Sequence, residues 1–178
     1  VNYVGESTYL QDATGGIVIR SSKTQTVKAG DKVTFYGKKV IYQGFVAVES
    51  DSIITSEVST LSAVTTFEDI SALVADVNDS EYKYNAMLVC VPGVWISAYD
   101  KNSNPTVTDG INTAYCYYMV LDETAFPIGT KVSITAVATA YKGVFQFTGD
   151  AAGIEKVVVD KKDMYDYPAR GENGEYTL

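Results

Sequence analysis

Polar and apolar positions alternate through most of this chain, and two stretches alternate in step. Gly30-Asp31-Lys32-Val33-Thr34-Phe35 reads against Gly129-Thr130-Lys131-Val132-Ser133-Ile134 without a gap. Tyr42-Gln43-Gly44 and Tyr141-Lys142-Gly143 then follow at the same distance. Each copy is a Gly-x-Lys opening, a strand, a Tyr-x-Gly turn and a returning strand, which predicts one small β module occurring twice. Ahead of the first copy, residues 9–19 read as a hairpin turning at Gly15-Gly16, where positive φ is allowed. The returning strand covers 45–50, and 51–63 reads as the link between modules. Period-two alternation then gives way to Thr66-Phe67-Glu68-Asp69-Ile70-Ser71-Ala72-Leu73-Val74. Phe67, Ile70, Leu73 and Val74 fall at helical spacing behind a capping Thr66, predicting a helix over 66–75. Strands are expected at 84–99, with a bulge or corner at Pro92-Gly93, and at 111–122, 131–140, 143–148 and 154–159. Val132, Ile134, Ala136 and Ala138 should face one way. Five strands and a helix suit a small barrel better than a sandwich.

The domains expected are 1–58, a linker at 59–65, a second module at 66–160 with its leading helix, and a tail at 161–178. In that tail Met164, Tyr165 and Tyr167 could clip back onto the barrel. The first module is short of its opening strand, because residues 1–7 should supply little or none of it. Either the chain is a piece of something longer, or an edge of the first sheet is left unpaired, is filled by residues 51–59, or is filled by a neighbouring molecule as a strand-addition partner.

Charge narrows the partners. The 178 residues carry 22 acidic and 14 basic side chains, a net charge of −8, and only Arg20 and Arg170 are arginines. A nucleic-acid reader needs a basic, arginine-rich stripe, so composition argues against a nucleic-acid ligand and the lysines near Lys32 read as solubilising. With no histidine in the chain, the usual general base, the commonest metal ligand and every Ser-His or Cys-His pair are missing. Asp12 with Glu6, and Asp122 with Glu123, read as turn formers rather than acid/base pairs. The chain is therefore expected not to be an enzyme and to need no cofactor. Cys90 and Cys116 stand in apolar strand patterns as two small buried hydrophobes, or as a disulfide if their strands are neighbours. No apolar run approaches the ~20 residues of a membrane-spanning helix. No signal peptide opens the chain, so it is expected to begin after processing or within a longer protein.

Aromatic residues are the better clue to function, with 14 tyrosines in the chain. Tyr115, Tyr117 and Tyr141 fall off the core parity of their strands, and Trp95 follows the Pro-Gly kink. As exposed planes these four would suit a carbohydrate or protein ligand; as core residues they would only fill space. Asp100, Asn102 and Asn104 have the spacing of three calcium-loop ligands. Pro105 stands where the loop's glycine belongs and Ile111 where its bidentate glutamate belongs, so a polar hairpin loop is the better reading and no metal is assigned.

The run Tyr9-Leu10-Gln11-Asp12-Ala13-Thr14-Gly15-Gly16-Ile17, followed by Lys28-Ala29-Gly30-Asp31-Lys32-Val33 and Gly37, resembles the OB-fold-like domains of secreted and surface lipoproteins of gut anaerobic bacteria. Many of these are domains of unknown function, and similar modules sit beside secreted nucleases and phosphatases. The resemblance covers about residues 9–49. It implies an all-β protein of two tandem small OB-like β-barrels, with one short helix opening the second. It also implies a secreted or outer-membrane surface location and a non-catalytic binding or scaffolding role. The alternative is an accessory domain presenting nucleic acid or phosphoesters to a nuclease or phosphatase.

Overall fold

A computed structural model describes residues 1–21, 26–50, 53–158, 169–170 and 176–177, with backbone alone at 53–56, 169–170 and 176–177. Strands dominate. The first half holds β1 (Tyr3–Val4), β2 (Ser7–Asp12), β3 (Gly15–Arg20), β4 (Asp31–Phe35), β5 (Lys38–Tyr42), β6 (Phe45–Glu49) and β7 (Ile53–Val58). After β8 (Thr65–Thr66) and α1 (Ser71–Asn78), the second half holds β9 (Leu88–Tyr99), β10 (Pro105–Thr108), β11 (Thr113–Tyr117), β12 (Lys131–Tyr141), β13 (Val144–Thr148) and β14 (Ile154–Lys156). Two short strands, β15 (Ala169–Arg170) and β16 (Tyr176–Thr177), pair in the tail. The tyrosine and methionine clips expected at 164–167 lie outside the described residues.

The second half closes on itself. Its strands run β9-β10-β11-β13-β12, and β12 returns to pair with β9, making a closed five-stranded barrel. The one parallel contact within that ring is β11 with β13. Val132, Ile134, Ala136 and Ala138 all enter the barrel core, beside Val91, Val107, Cys116 and Phe147. Between Val132↔Val94 and Ile134↔Val91, β9 carries one more residue than β12, so Pro92-Gly93 forms the expected bulge.

The first half repeats the pairings without closing. Tyr42↔Phe45 through Lys38↔Glu49 in the first hairpin match Tyr141↔Val144 through Val137↔Thr148 in the second, pair for pair. Both hairpins turn through consecutive positive φ values, 53° and 97° at Gln43-Gly44 and 53° and 75° at Lys142-Gly143, the signature of a type I′ turn. The β3–β6 contact is parallel, like β11–β13. The single long strand β12, however, corresponds to two strands here. The chain breaks at Tyr36-Gly37, leaving β4 paired with β7 and β5 paired with β6.

Three expectations are corrected. Residues 53–58 form strand β7 along β4 rather than a link, so the first module's edge is filled from within the chain, one of the expected alternatives. The β2–β3 turn sits at Ala13-Thr14, because the Asp12 carboxylate accepts hydrogen bonds from Thr14 N and Oγ1 at 2.7 and 2.6 Å. The helix begins at Ser71, five residues late, since Thr66 belongs to a parallel strand beside Cys90. Asp69 and Asp109 instead accept the Ser71 and Ile70 amides, and Ile70, Leu73 and Val77 still bury the apolar face against the barrel. The opening residues, expected to supply little or none of the first strand, supply a short one of two residues. The Val1 ammonium donates to Asp31 O at 2.7 Å and Gly30 N donates to Val1 O at 2.9 Å, while Tyr3 and Val4 pair with β2. Ile96 makes the same two backbone bonds to Thr130 and Gly129.

The halves are stitched together by the motif around Gly16. Gln11 Oε1 accepts from Leu88 N at 2.8 Å and from Asn2 Nδ2 at 3.0 Å, and Asn2 Nδ2 also donates to Ala86 O. A Cβ on Gly16 would lie 2.2 Å from Asn85 O, so only glycine allows the two backbones this close.

Candidate tyrosine cleft

Alternation along β11 sends Ala114 and Cys116 into the barrel and turns Tyr115 and Tyr117 outward. Thr139 and Tyr141 at the end of β12, with Gln146 and Thr148 on β13, extend the same outer surface. Opposite lies the outer face of the first half, with Tyr9 from β2, Val18 from β3, Tyr42 from β5 and Phe45 from β6. The two faces enclose a cleft of about 470 Å³, within the ~300–1,000 Å³ range of small-molecule sites. Tyr3 and Tyr118 complete its aromatic wall.

The rings are held in place. Tyr118 leaves β11 at φ 63°, a conformation uncommon outside glycine, and its ring lies 4.1 Å from that of Tyr117. Its hydroxyl donates to Glu6 Oε1 at 2.7 Å, bridging the two halves across the rim. The Tyr115 hydroxyl donates to Asp100 Oδ2 at 2.7 Å. Tyr3 and Tyr9 stand 6.1 Å apart, as Tyr115 and Tyr117 do at 6.2 Å.

These surroundings raise the phenols of Tyr3, Tyr9, Tyr115 and Tyr118 above their ordinary value. Burial pushes Tyr9 up to about 12, offset in part by the nearby Thr148 hydroxyl. Burial and then the Asp100 carboxylate raise Tyr115 to about 12. Tyr3 is raised by burial and Tyr118 by its bonds to Tyr117 and Glu6. Thr148 is 1% exposed, and its Oγ1 makes no hydrogen bond of good geometry at the cleft floor. The lining therefore offers flat apolar rings, hydroxyls, the Gln146 amide and the Glu6 carboxylate, with no Lys or Arg among the described residues.

Three of the four aromatic candidates, Tyr115, Tyr117 and Tyr141, thus line one cleft. Trp95 does not; it faces outward between Thr108 and Lys131, with the lysine Nζ 4.9 Å from its ring centroid. Asp100, Asn102 and Asn104 form a polar loop. The Asp100 carboxylate accepts from the Asn102 and Asn104 amides at 2.9 and 2.8 Å, from Asn104 Nδ2 and from Tyr115, and these bonds hold it down at about 2. With N–H and O–H donors aimed at its oxygens, its role here is to fix the loop and Tyr115. Among the described residues no group of three or more acidic or thiol side chains could hold a metal ion. Cys116 is buried in the barrel, where burial pushes its thiol up, and Cys90 approaches Ser133 Oγ at 3.7 Å; both are free, because β10 separates β9 from β11.

Sequence reasoning missed Tyr3, Tyr9, Tyr42, Tyr118 and Glu6. Tyr42 was within reach, since it stands at the hairpin position of Tyr141. The rest come together only through the docking of the two halves. Among the described residues no helix is long and apolar enough to cross a membrane. No family model matches the chain, and a comparison with the curated proteins finds no relative.

Proposed function

We propose that this chain is a non-catalytic binding module, built from two OB-like domains, that holds a carbohydrate in the tyrosine cleft between them. The cleft carries the reading: tyrosine rings from both halves line it with hydroxyls and an amide, and among the described residues the cations Arg20 and Lys142 stack on Tyr42 and Tyr141 rather than lining the space. The shared hairpin registers and parallel contacts support a duplicated OB-like domain, the first in opened form and the second closed. The resemblance of residues 9–49 to surface lipoprotein domains supports a secreted or cell-surface setting. A scaffolding component fits the outer edge of β4, where residues 32–35 have no strand partner among the described residues on the side away from β7.

A glycan array alongside DNA and RNA titrations tests the reading. Glycan hits that disappear in Tyr117→Ala and Tyr141→Ala are expected. Submicromolar nucleic-acid affinity falling steeply with salt would support instead the accessory role beside a nuclease or phosphatase.

A further inference from the structure

The tyrosine cleft does not end at Tyr42. Glu6, Ser7 and Tyr42 also line a second open pocket of about 710 Å³ on the first half, completed by Arg20, Lys38 and Glu49. The Arg20 guanidinium lies 3.7 Å from the Tyr42 ring centroid, so an aromatic surface passes directly into a charged one. Strand register makes that charged surface a row. Arg20 on β3 is opposite Glu49 on β6, and Glu49 is opposite Lys38 on β5. The corresponding hairpin positions of the second half, Val137 and Thr148, carry no charge.

We infer that the two pockets are subsites of one groove that takes an uncharged oligosaccharide of two or more rings and turns polyanions away. This rests on the glycan-binding reading and adds length and charge to it. Each pocket alone has the size of a small-molecule site, so the pair suits more than one sugar ring. Arg20 and Lys38 are matched one for one by Glu6 and Glu49, which leaves a sulfate or phosphate no net positive charge to bind. A sugar hydroxyl both donates and accepts, so it can use the guanidinium, the ammonium and either carboxylate along the row.

The test is calorimetric titration with array hits and their shorter and longer homologues, from monosaccharide to tetrasaccharide, beside sulfated and uronate-bearing oligosaccharides of equal length. Affinity should rise by about tenfold or more from one ring to three, and anionic homologues should bind more weakly. Lys38→Ala, at an exposed position, and Glu49→Gln should each remove most of the length gain while leaving monosaccharide affinity in place; Tyr117→Ala should remove both. Binding that is lost in Tyr117→Ala but shows no length gain, a length gain indifferent to Lys38→Ala and Glu49→Gln, or tighter binding of the anionic homologues would overturn the two-subsite inference alone. Absence of glycan binding at every length by the folded protein would overturn the underlying carbohydrate reading.

Discussion

Tyr9 and Tyr115 couple the cleft to the stability of the chain. Both are held to about 12 against an ordinary 10.0, so the folded state keeps two protons that the unfolded chain releases earlier. The stabilisation is complete below pH ~10 and is lost as pH rises from ~10 to ~12. A phenolate absorbance titration should show these two among the late-ionising groups, with Tyr3 and Tyr118, and Tyr115→Phe should remove one of them; ordinary ionisation of every tyrosine would count against the described contacts. The acid side runs the opposite way. Asp100 is held at about 2 against 3.8, so its contribution is present above pH ~4 and fades as pH falls towards ~2. Gly16 tests the joint between the halves. Any side chain there meets the backbone of Asn85 and Ala86, so Gly16→Ala should destabilise by about 1–3 kcal/mol in denaturant unfolding. A neutral effect would mean that the close approach is absent in solution.

At the scale of elements, α1 depends on its buried face. Leu73 is 1% exposed within the barrel cluster, and Leu73→Ala should cost about 2–5 kcal/mol, read as a fall in the denaturation midpoint. The position of that face was legible because Phe67, Ile70, Leu73 and Val74 repeat at helical spacing. The start of the helix was not, because β-branched Thr65 and Thr66 suit a parallel strand beside β9 as well as they suit a cap, and only the presence of β9 decides between them. The hairpins were legible for a related reason: a Tyr-x-Gly turn between alternating strands sets register locally. The break of the first long strand into β4 and β5 left little local trace besides Gly37. Residues 53–58 looked like a link because their strand partner lies some twenty positions back in the chain. Three cleft tyrosines were legible from parity along β11 and β12, whereas Trp95, off the same parity, lies elsewhere because parity names a face and not a place on it.

The whole molecule is one body through a few specific contacts. Asn2 and Gln11 bind the backbone of Ala86 and Leu88, Gly16 sits against Asn85, and Val18, Phe45 and Ala47 bury against Ala86. Scanning calorimetry should therefore show a single cooperative transition; two separated transitions would contradict a shared core at the joint. The cleft exists only while that joint holds, since its two walls belong to different halves. The central claim is that this cleft is where the ligand binds, and amide chemical-shift mapping with the tightest array glycan tests it most directly. The account predicts perturbations concentrated at Tyr9, Tyr42, Tyr117, Tyr141 and Thr148, reaching Arg20 and Lys38 as the glycan lengthens. Perturbations centred on Trp95 and Lys131, with the cleft residues unmoved, would contradict it.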